Sequence, residues 1–374
     1  MKIEKYKNVV SEKLQHTWKL PPSKSHLQRA LLLSAVMSEK VSLENINSLG
    51  NDSLTMIQCL EKLGSNIEYN AEKEIIFLGE NKTKKLHAPD AILDCKNSAT
   101  TLKLLIGFCS RFEKSVTFDG DHTLQRRPIG DLLEQLESAG AKINSHSDNS
   151  DLPVTIKGPI YSSSFLIDVT KSSQSLSSLV ISGVNSKKAF KIKIKGVPAS
   201  KNHSDLTIRM AEQTGANIAL LSSDEIFVEP WNPKWDGSAK VPGDASLAIY
   251  CMLWSRLQNV SIILQGFPNE IESLGHNHLI EISEYVGLDV DVKTDGEKLL
   301  TPIKCKKEPI IVDLKDSIDA LPAMAALLAL TCGGTLTGIE NAKIKESDRV
   351  DETQKLLSIF GIKTDLIDNE LVIC

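Results

Sequence analysis

The sequence predicts an α/β protein of two domains, built from a unit of about 74 residues that recurs five times. Helix-ending glycines recur at intervals of 76, 75, 72 and 74 residues, at Gly64, Gly140, Gly215, Gly287 and Gly361. Helix openings rich in small polar residues recur at intervals of 74, 75, 72 and 72, at Ser23, Asn97, Ser172, Asp244 and Asp316. Alternating β-branched stretches such as FKIKIKGV and VSIILQGF lie between the helices and predict short strands.

Each unit has room for two helices and about four strands. Glycine after the second helix of each unit fits a left-handed C-cap, which lets the chain turn directly into a strand. The alternative is a chance spacing of ordinary amphipathic helices. Two separate series of markers with the same period favour the repeat, and the period is too long for a solenoid of small units.

Taken in order, three units run from Ser23 to Gly215 and two begin at Asp244. The loop EPWNPKWDGSAKVPGD between these groups predicts a boundary, because Pro and Gly interrupt regular structure. We therefore expect one domain over residues 21–240. The other is expected over 1–20 plus 241–374, with the N-terminal strand returning to it.

The repeat also predicts an incomplete second domain. The next first helix would begin at about position 388, 72 residues after Asp316, whereas the sequence ends at Cys374. We expect the absent unit to leave apolar faces of the second domain uncovered.

Composition excludes several classes of protein. Apolar content of 41% and charged content of 24% are typical of a globular chain. The charged N-terminus and the short apolar runs predict neither a signal peptide nor a membrane span, so a cytoplasmic protein is expected. Seven cysteines without C-x-x-C spacing argue against a disulfide framework and against a zinc site. A net charge of −5 argues against nucleic-acid binding.

The helix openings carry the chemistry. A helix N-terminus presents unpaired N–H groups and a positive dipole end, which together favour anions. Capping alone would explain the Ser, Thr and Asn residues, but several openings also carry charged side chains. The segments are LPPSKSHLQR, RRPIGD, KSSQS, DSIDALP and NAKIKESDR. Cations and carboxylates gathered in one cleft are suited to proton transfer beside a phosphate.

These segments, in this order, resemble the 5-enolpyruvylshikimate-3-phosphate synthase family. The resemblance extends over nearly the whole chain, and the SKS-x-x-x-R, RPIG, SSQ and KESDR motifs are specific in combination. It implies two domains of βαβαββ units arranged as an inside-out α/β barrel. It also implies transfer of the enolpyruvyl group of phosphoenolpyruvate to the 5-hydroxyl of shikimate 3-phosphate, without metal or organic cofactor, by a monomer.

The resemblance implies two overlapping sets of binding residues. Those for shikimate 3-phosphate are Lys24, Ser25, Arg29, Ser172, Ser173, Gln174, Ser200, Asp319, Asn341 and Lys345. Those for phosphoenolpyruvate are Lys24, Asn97, Ala99, Thr100, Arg127, Gln174 and Arg349. The implied catalytic groups are Asp319 as the base on the 5-hydroxyl, Glu346 as the proton-transfer group at the methylene carbon, and Lys24.

The chain departs from the family pattern at several positions. The sequence does not contain the Asp-His-Arg helix opening or the later lysine of the family's sixth unit, which the resemblance places at the phosphoenolpyruvate site. Pro22 and Ala99 replace glycines, Lys103 replaces an arginine, and His203 stands where some members have tyrosine. A methyl group at Ala99 would intrude on the phosphoenolpyruvate pocket, so we expect reduced sensitivity to glyphosate.

Two alternatives remain open. A sister family transfers the same enolpyruvyl group to UDP-N-acetylglucosamine, but it carries a cysteine before its R-P motif, where this chain reads GDHTLQRRP. The other alternative is a protein that binds shikimate 3-phosphate without turnover. Phosphate release that requires both substrates would distinguish these readings.

Overall fold

The computed structural model describes residues 16–79, 86–170, 172–198, 201–235 and 237–374. It contains five four-stranded sheets, each with the same strand order. In each sheet the first pair is parallel and the other two pairs are antiparallel, which is the pairing expected of a βαβαββ unit. The predicted α/β class and the five units are confirmed.

The first three sheets belong to the first group of units. The first contains β2 (Val41–Glu44), β3 (Ile67–Asn70), β4 (Ile75–Leu78) and β13 (Ser238–Lys240). The second contains β5 (Leu93–Asp94), β6 (Val116–Asp119), β7 (Lys142–Ser145) and β8 (Val154–Lys157). The third contains β9 (Ser164–Asp168), β10 (Phe190–Lys195), β11 (Ile218–Ser222) and β12 (Glu225–Val228).

The other two sheets belong to the second group. One contains β1 (His16–Lys19), β14 (Ile262–Gln265), β15 (Leu288–Val292) and β16 (Lys298–Pro302). The other contains β17 (Ile310–Asp313), β18 (Gly334–Thr337), β19 (Thr364–Ile367) and β20 (Glu370–Ile373). The predicted return of the N-terminal strand is confirmed for His16–Lys19, which pairs in parallel with β14.

Each unit has two helices. We call the first along the chain the inner helix and the second the outer helix. The inner helices are α1 (Lys24–Ala35), α3 (Ala99–Cys109), α5 (Gln174–Ile181), α7 (Ala248–Gln258) and α9 (Leu321–Leu330). The outer helices are α2 (Asn51–Lys62), α4 (Gly130–Ser138), α6 (Lys201–Gln213), α8 (His278–Glu281) and α10 (Arg349–Ile359). All five helix-ending glycines have positive φ, from 75° at Gly361 to 101° at Gly64, as the C-cap prediction requires.

One helix is shorter than the sequence predicts. The segment LIEISEYVG suggests a full outer helix, but α8 has only four residues. Beyond it, bonds of the i→i−3 type, from Ser283 to Ile280 and from Tyr285 to Ile282, replace most of the α-helical ladder. Such tight turns rarely propagate, because their hydrogen-bond geometry is poorer than that of an α-helix.

The chain passes between the two groups twice, and the two connecting segments are hydrogen-bonded to each other. The N–H of Ser23 donates to the carbonyl of Pro242 and the N–H of Asp244 to that of Pro21, each at 2.8 Å. Pro22 and Gly243 lie opposite each other in this bridge. The ring of Pro22 is compatible with the bridge, since the donors come from Ser23 and Asp244.

The buried apolar side chains form two clusters. The larger contains residues from Leu27 to Val241 and also Leu274, and the smaller contains Leu20 together with other residues from Ala248 to Ile373. The boundaries 1–20 plus 241–374 and 21–240 remain a prediction. Within the described ranges, no helix is long and apolar enough to cross a membrane.

The inner helices of the two groups differ in burial. Helices α1, α3 and α5 bury nearly every residue beyond their first turn. On α7, by contrast, Tyr250, Trp254 and Leu257 are 40%, 41% and 58% exposed. These residues share one face of the helix, since they are four and three positions apart. Apolar side chains are thus exposed along one face of α7.

Close packing of α3 on α5 depends on Gly107. A Cβ atom at this position would lie 2.0 Å from the carbonyl oxygen of Ser178. We expect Gly107→Ala to lower the free energy of unfolding by about 1–3 kcal/mol, because both helices are buried and cannot move apart without loss of packing elsewhere. Urea denaturation followed by circular dichroism measures the change.

Gly130→Ala is the matched control. A Cβ atom there would meet only Asp151, at 3.8 Å, at the start of α4. Equal stability of the two variants would contradict the account of this helix contact.

Candidate active site

The openings of the first three inner helices are bonded to one another. Nε2 of Gln28, on α1, donates to the hydroxyls of Ser98 and Thr101 at 2.9 and 2.8 Å. Nε2 of Gln174, on α5, donates to the hydroxyl of Thr100 at 3.0 Å. The predicted residues Asn97, Ala99, Thr100 and Gln174 therefore lie together with the start of α1.

Arg127 links this region to the second group. Its Nη2 atom lies 2.8 Å from Oδ1 of Asn97 and 3.2 Å from Oε1 of Glu346. The side chain is only 15% exposed, and its Nε atom is buried without a partner among the described residues. An unpartnered buried donor of this kind can bind an incoming anion with no loss of an existing bond.

Two carboxylates of the second group share Arg349. Its Nη1 atom is bonded to Asp319, and its Nη2 atom lies 2.7 Å from Oε2 of Glu346. Asp348 caps the helix that carries Arg349 by accepting from Val350 and Asp351. The cap fixes the first turn of α10, and so it also fixes the position of Arg349.

The pKa values follow from these contacts. Enclosure in the cleft would raise the pKa of Asp319, but Arg349 and Lys24 outweigh it and hold that pKa well below its usual value. The pKa of Glu346 is lowered in the same way, against its burial, by Arg349 and Arg127. Conversely, the pKa of Lys24 is raised, because Asp319 and Asp52 outweigh desolvation. All three groups are ionised at neutral pH.

Two lysines make the region more basic. Burial lowers the pKa of Lys103 to about 8, helped by the charges of Lys345 and Arg127. Burial also lowers the pKa of Lys345, although Asp319 opposes the change. The basic side chains around the cleft include Lys24, Lys103, Arg127, Lys345 and Arg349. Carboxylates lie among them: Asp52, Asp319 and Glu346, together with Asp131 near Lys103, Asp121 bonded to Asn97 and Asp244 beside the N–H of Lys24. The basic side chains favour a ligand with negative charge.

Other predicted residues are placed less directly. Arg29 is 1% exposed, and its guanidinium donates to Thr207 at 2.7 Å and to the carbonyl of Ser25 at 2.8 Å. The hydroxyl of Ser172 accepts from the N–H of Gln174 at 3.2 Å. Ser173 is 2% exposed, and Asn341 lies in the 3-10 helix Glu340–Ile344. Ser200 lies outside the described residues.

The structure adds residues that the sequence reasoning did not select. Asp52 lies 3.2 Å from Nζ of Lys24, and Asp121 and Thr123 bond Asn97. Asp52 is an ordinary first-turn carboxylate of α2, so no local signal connects it to Lys24. Among the described residues, no group of three or more His, Cys, Asp or Glu could hold a metal ion.

A cavity of about 940 Å³ lies elsewhere, at the C-terminal ends of α1, α3 and α5. Met37, Phe112, Ser182 and Trp235 are among its lining residues, and none of the predicted site residues is. The charge cluster at the opposite ends of these helices is therefore the better candidate for the active site.

Comparison with known proteins identifies relatives along nearly the whole chain. The family model of EPSP synthase (3-phosphoshikimate 1-carboxyvinyltransferase) matches residues 10–373. The 3-phosphoshikimate 1-carboxyvinyltransferase of Saccharolobus solfataricus is 29% identical over 366 residues, which are 98% of this chain and 84% of the relative. That of Methanocorpusculum labreanum is 32% identical over 346 residues, which are 91% of this chain and 78% of the relative.

Solved structures share the fold. The EPSP synthase of Acinetobacter baumannii superposes with a TM-score of 0.76 at 22% identity, covering 96% of this chain and 81% of that one. The enolpyruvyl transferase NikO of Streptomyces tendae superposes with a TM-score of 0.71 at 15% identity, covering 97% and 82%.

The buried Lys103 should destabilise the folded protein at neutral pH. Its folded pKa of about 8 lies below the ordinary value of 10.5, so the unfolded chain binds the proton more tightly. The wild type therefore gains stability as the pH rises from about 8 to 10.5. We expect Lys103→Met to raise the free energy of unfolding by about 1–3 kcal/mol at pH 7, with a smaller gain at pH 10.

Urea denaturation of both proteins at pH 7 and pH 10 tests this expectation. Lys157→Met, at an exposed position on β8, is the control and should change little at either pH. A gain for Lys103→Met that does not depend on pH would show that packing, not charge, is responsible.

Proposed function

The chain belongs to the EPSP synthase family, and on that premise we propose that it transfers the enolpyruvyl group of phosphoenolpyruvate to the 5-hydroxyl of shikimate 3-phosphate. The transfer releases phosphate and is a step of aromatic amino-acid (chorismate) biosynthesis. The proposal rests on direct contacts between motifs that belong to different groups of units. Arg127 of the RPIG motif contacts Glu346 of the KESDR motif, and Glu346 shares Arg349 with Asp319.

We propose that the two substrates divide this cleft between them. Phosphoenolpyruvate is held by Arg127 and Arg349, with Lys24, Asn97, Ala99, Thr100 and Gln174 around it. Shikimate 3-phosphate is held by Lys24, Ser25, Arg29, Ser172, Ser173, Gln174, Ser200, Asp319, Asn341 and Lys345. The unpartnered Nε atom of Arg127 supports the binding of an anion at that residue.

Within this proposal, substrate binding activates the carboxylates. In the unliganded protein, Arg349 pairs with both Asp319 and Glu346 and holds their pKa values down. An anionic substrate that takes over Arg349 removes that pairing, so both pKa values rise toward their usual range and the groups become better proton acceptors. Acid–base capacity then appears only when phosphoenolpyruvate is bound.

The two steps use those carboxylates in turn. In the addition, Asp319 accepts the proton of the 5-hydroxyl, whose oxygen attacks C2 of phosphoenolpyruvate. Glu346, which takes a proton from solvent once Arg349 no longer pairs with it, delivers that proton to the methylene carbon. In the elimination, Glu346 recovers a proton from the resulting methyl group as the C–O bond to phosphate breaks. Lys24, close enough to Asp319 to lower its pKa, stabilises the negative charge that develops on the departing phosphate.

Phosphate release tests the function directly. We expect release when both substrates are present and none when either is given alone. Asp319→Asn should lower kcat by about 100-fold or more, because the amide cannot accept the proton. Asp365→Asn, an exposed carboxylate on β19, should leave kcat unchanged.

The alternatives give different results. Binding of shikimate 3-phosphate without phosphate release would identify a protein that binds without turnover. Release that requires UDP-N-acetylglucosamine in place of shikimate 3-phosphate would identify the sister activity.

Ala99 should lower the affinity for glyphosate. It is the first residue of α3 and 9% exposed, directly after Ser98, which caps the helix. A methyl group that crowds a bound inhibitor costs about 1–3 kcal/mol, so we expect Ala99→Gly to lower the glyphosate inhibition constant at least about fivefold. Steady-state inhibition against phosphoenolpyruvate measures the effect. An unchanged inhibition constant would refute this role for the methyl group.

A further inference from the structure

Ser23 is the N-cap residue of α1, but its side chain does not cap the helix. A serine at this position ordinarily accepts a hydrogen bond from the second or third backbone N–H of the helix. Here no such bond is formed, and Oγ of Ser23 lies 2.9 Å from Nδ1 of His26 instead. Within the described ranges, no acceptor is bonded to the N–H of Ser25 or His26. The N–H groups of Ser25 and His26 are therefore left open, while the N–H of Lys24 donates to Oδ2 of Asp244 at 3.3 Å.

His26 is fixed in this arrangement by the second group of units. Its ring is 3% exposed, and Nε2 lies 2.5 Å from Oε2 of Glu272. A carboxylate can only accept, so Nε2 carries the proton. Burial lowers the pKa of His26, aided by Arg29 and Arg209 and opposed by Glu272, so the ring is neutral. Nδ1 of the neutral ring accepts from the Ser23 hydroxyl.

Glu272 is itself held in place. Its Oε2 atom also accepts from Nη2 of Arg209, on α6, at 3.2 Å. Its backbone N–H donates to the side chain of Asn269 at 3.0 Å. Two residues later, the carbonyl of Leu274 accepts from Asn202 at 3.1 Å, and the Leu274 side chain is buried in the larger apolar cluster. The segment 269–274 thus joins the second group to the first.

We propose that His26 and Glu272 are positioning residues that keep the first turn of α1 uncapped for an anionic oxygen of the substrate. Glu272 fixes the tautomer of His26, and His26 withdraws the hydroxyl of Ser23 from the cap. The N–H groups of Ser25 and His26 then remain available beside Lys24, where the helix dipole favours a phosphate or carboxylate. The inference rests on the proposed function for the identity of that anion, shikimate 3-phosphate.

Competition between the serine and the ligand gives the proposal a specific test. In His26→Ala, the freed hydroxyl of Ser23 can cap the helix, so the ligand must displace it. We expect Kd for shikimate 3-phosphate to rise about fivefold, which corresponds to the ~1 kcal/mol of an ordinary serine cap. Removing that hydroxyl as well, in Ser23→Ala/His26→Ala, should restore Kd to within about twofold of Ser23→Ala alone.

Four proteins are compared at one ionic strength: the wild type, Ser23→Ala, His26→Ala and Ser23→Ala/His26→Ala. Isothermal titration calorimetry gives Kd for shikimate 3-phosphate, and steady-state kinetics give KM and kcat. We expect the change in KM for shikimate 3-phosphate to follow Kd, with kcat unaltered. The control is His146→Ala, which should resemble the wild type, since among the described residues the His146 side chain is bonded only to Thr155, at 2.7 Å. A loss of affinity that the second substitution does not reverse would overturn the proposal, because it would show a general structural role for His26.

A second pair of variants keeps the test valid if His26→Ala does not fold. Glu272→Gln retains an oxygen that can accept from Nε2 of His26, so its Kd should stay close to that of the wild type. Glu272→Ala should show the same loss as His26→Ala and the same rescue by Ser23→Ala. Equal Kd values for Glu272→Ala and the wild type would contradict the proposal.

The outcome is separable from that of the proposed function. Wild-type protein that binds shikimate 3-phosphate but releases no phosphate with phosphoenolpyruvate would refute the transferase, and the four-protein comparison would still decide the role of His26. Wild-type protein that binds neither shikimate 3-phosphate nor inorganic phosphate would overturn the inference itself.

Discussion

The double crossing of the chain between the two groups of units is the constraint on which the site depends. Strand β1 completes a sheet of the second group, and β13 completes a sheet of the first. The chain therefore crosses twice at one place, where Pro22 and Gly243 lie side by side. Lys24 follows one crossing directly and Asp244 follows the other, with the N–H of Lys24 lying 3.3 Å from Oδ2 of Asp244. The junction thus places the start of α1 beside the second group.

Charge balance explains why such a site is stable without its ligands. Five cations gathered in one cleft would repel one another, and the carboxylates Asp52, Asp319 and Glu346 compensate part of that charge. The pKa values of Asp319 and Glu346 are lowered by this pairing. In the proposed mechanism, Arg349 couples substrate binding to proton transfer, because the same side chain that binds the substrate lowers the pKa values of the two carboxylates.

The period of the sequence predicted much of the fold, because a glycine with positive φ and a polar helix opening are local signals. Gly64 and Gly361 needed no knowledge of the rest of the chain. The sequence contains no comparable local signal for contacts between distant segments. Nothing in the sequence indicates that Ser23 bonds His26 rather than its own helix, or that Arg29 is enclosed by Thr207 and Ser177. The shortness of α8 likewise reflects packing that helix propensity does not record.

The most direct test of this account is a crystal structure of the protein with shikimate 3-phosphate and a non-reactive phosphoenolpyruvate analogue. We expect Arg349 and Arg127 to bind the analogue, and Asp319 to leave Arg349 and contact the 5-hydroxyl. A complex in which Arg349 still pairs with Asp319 and Glu346, and the analogue lies elsewhere, would contradict it.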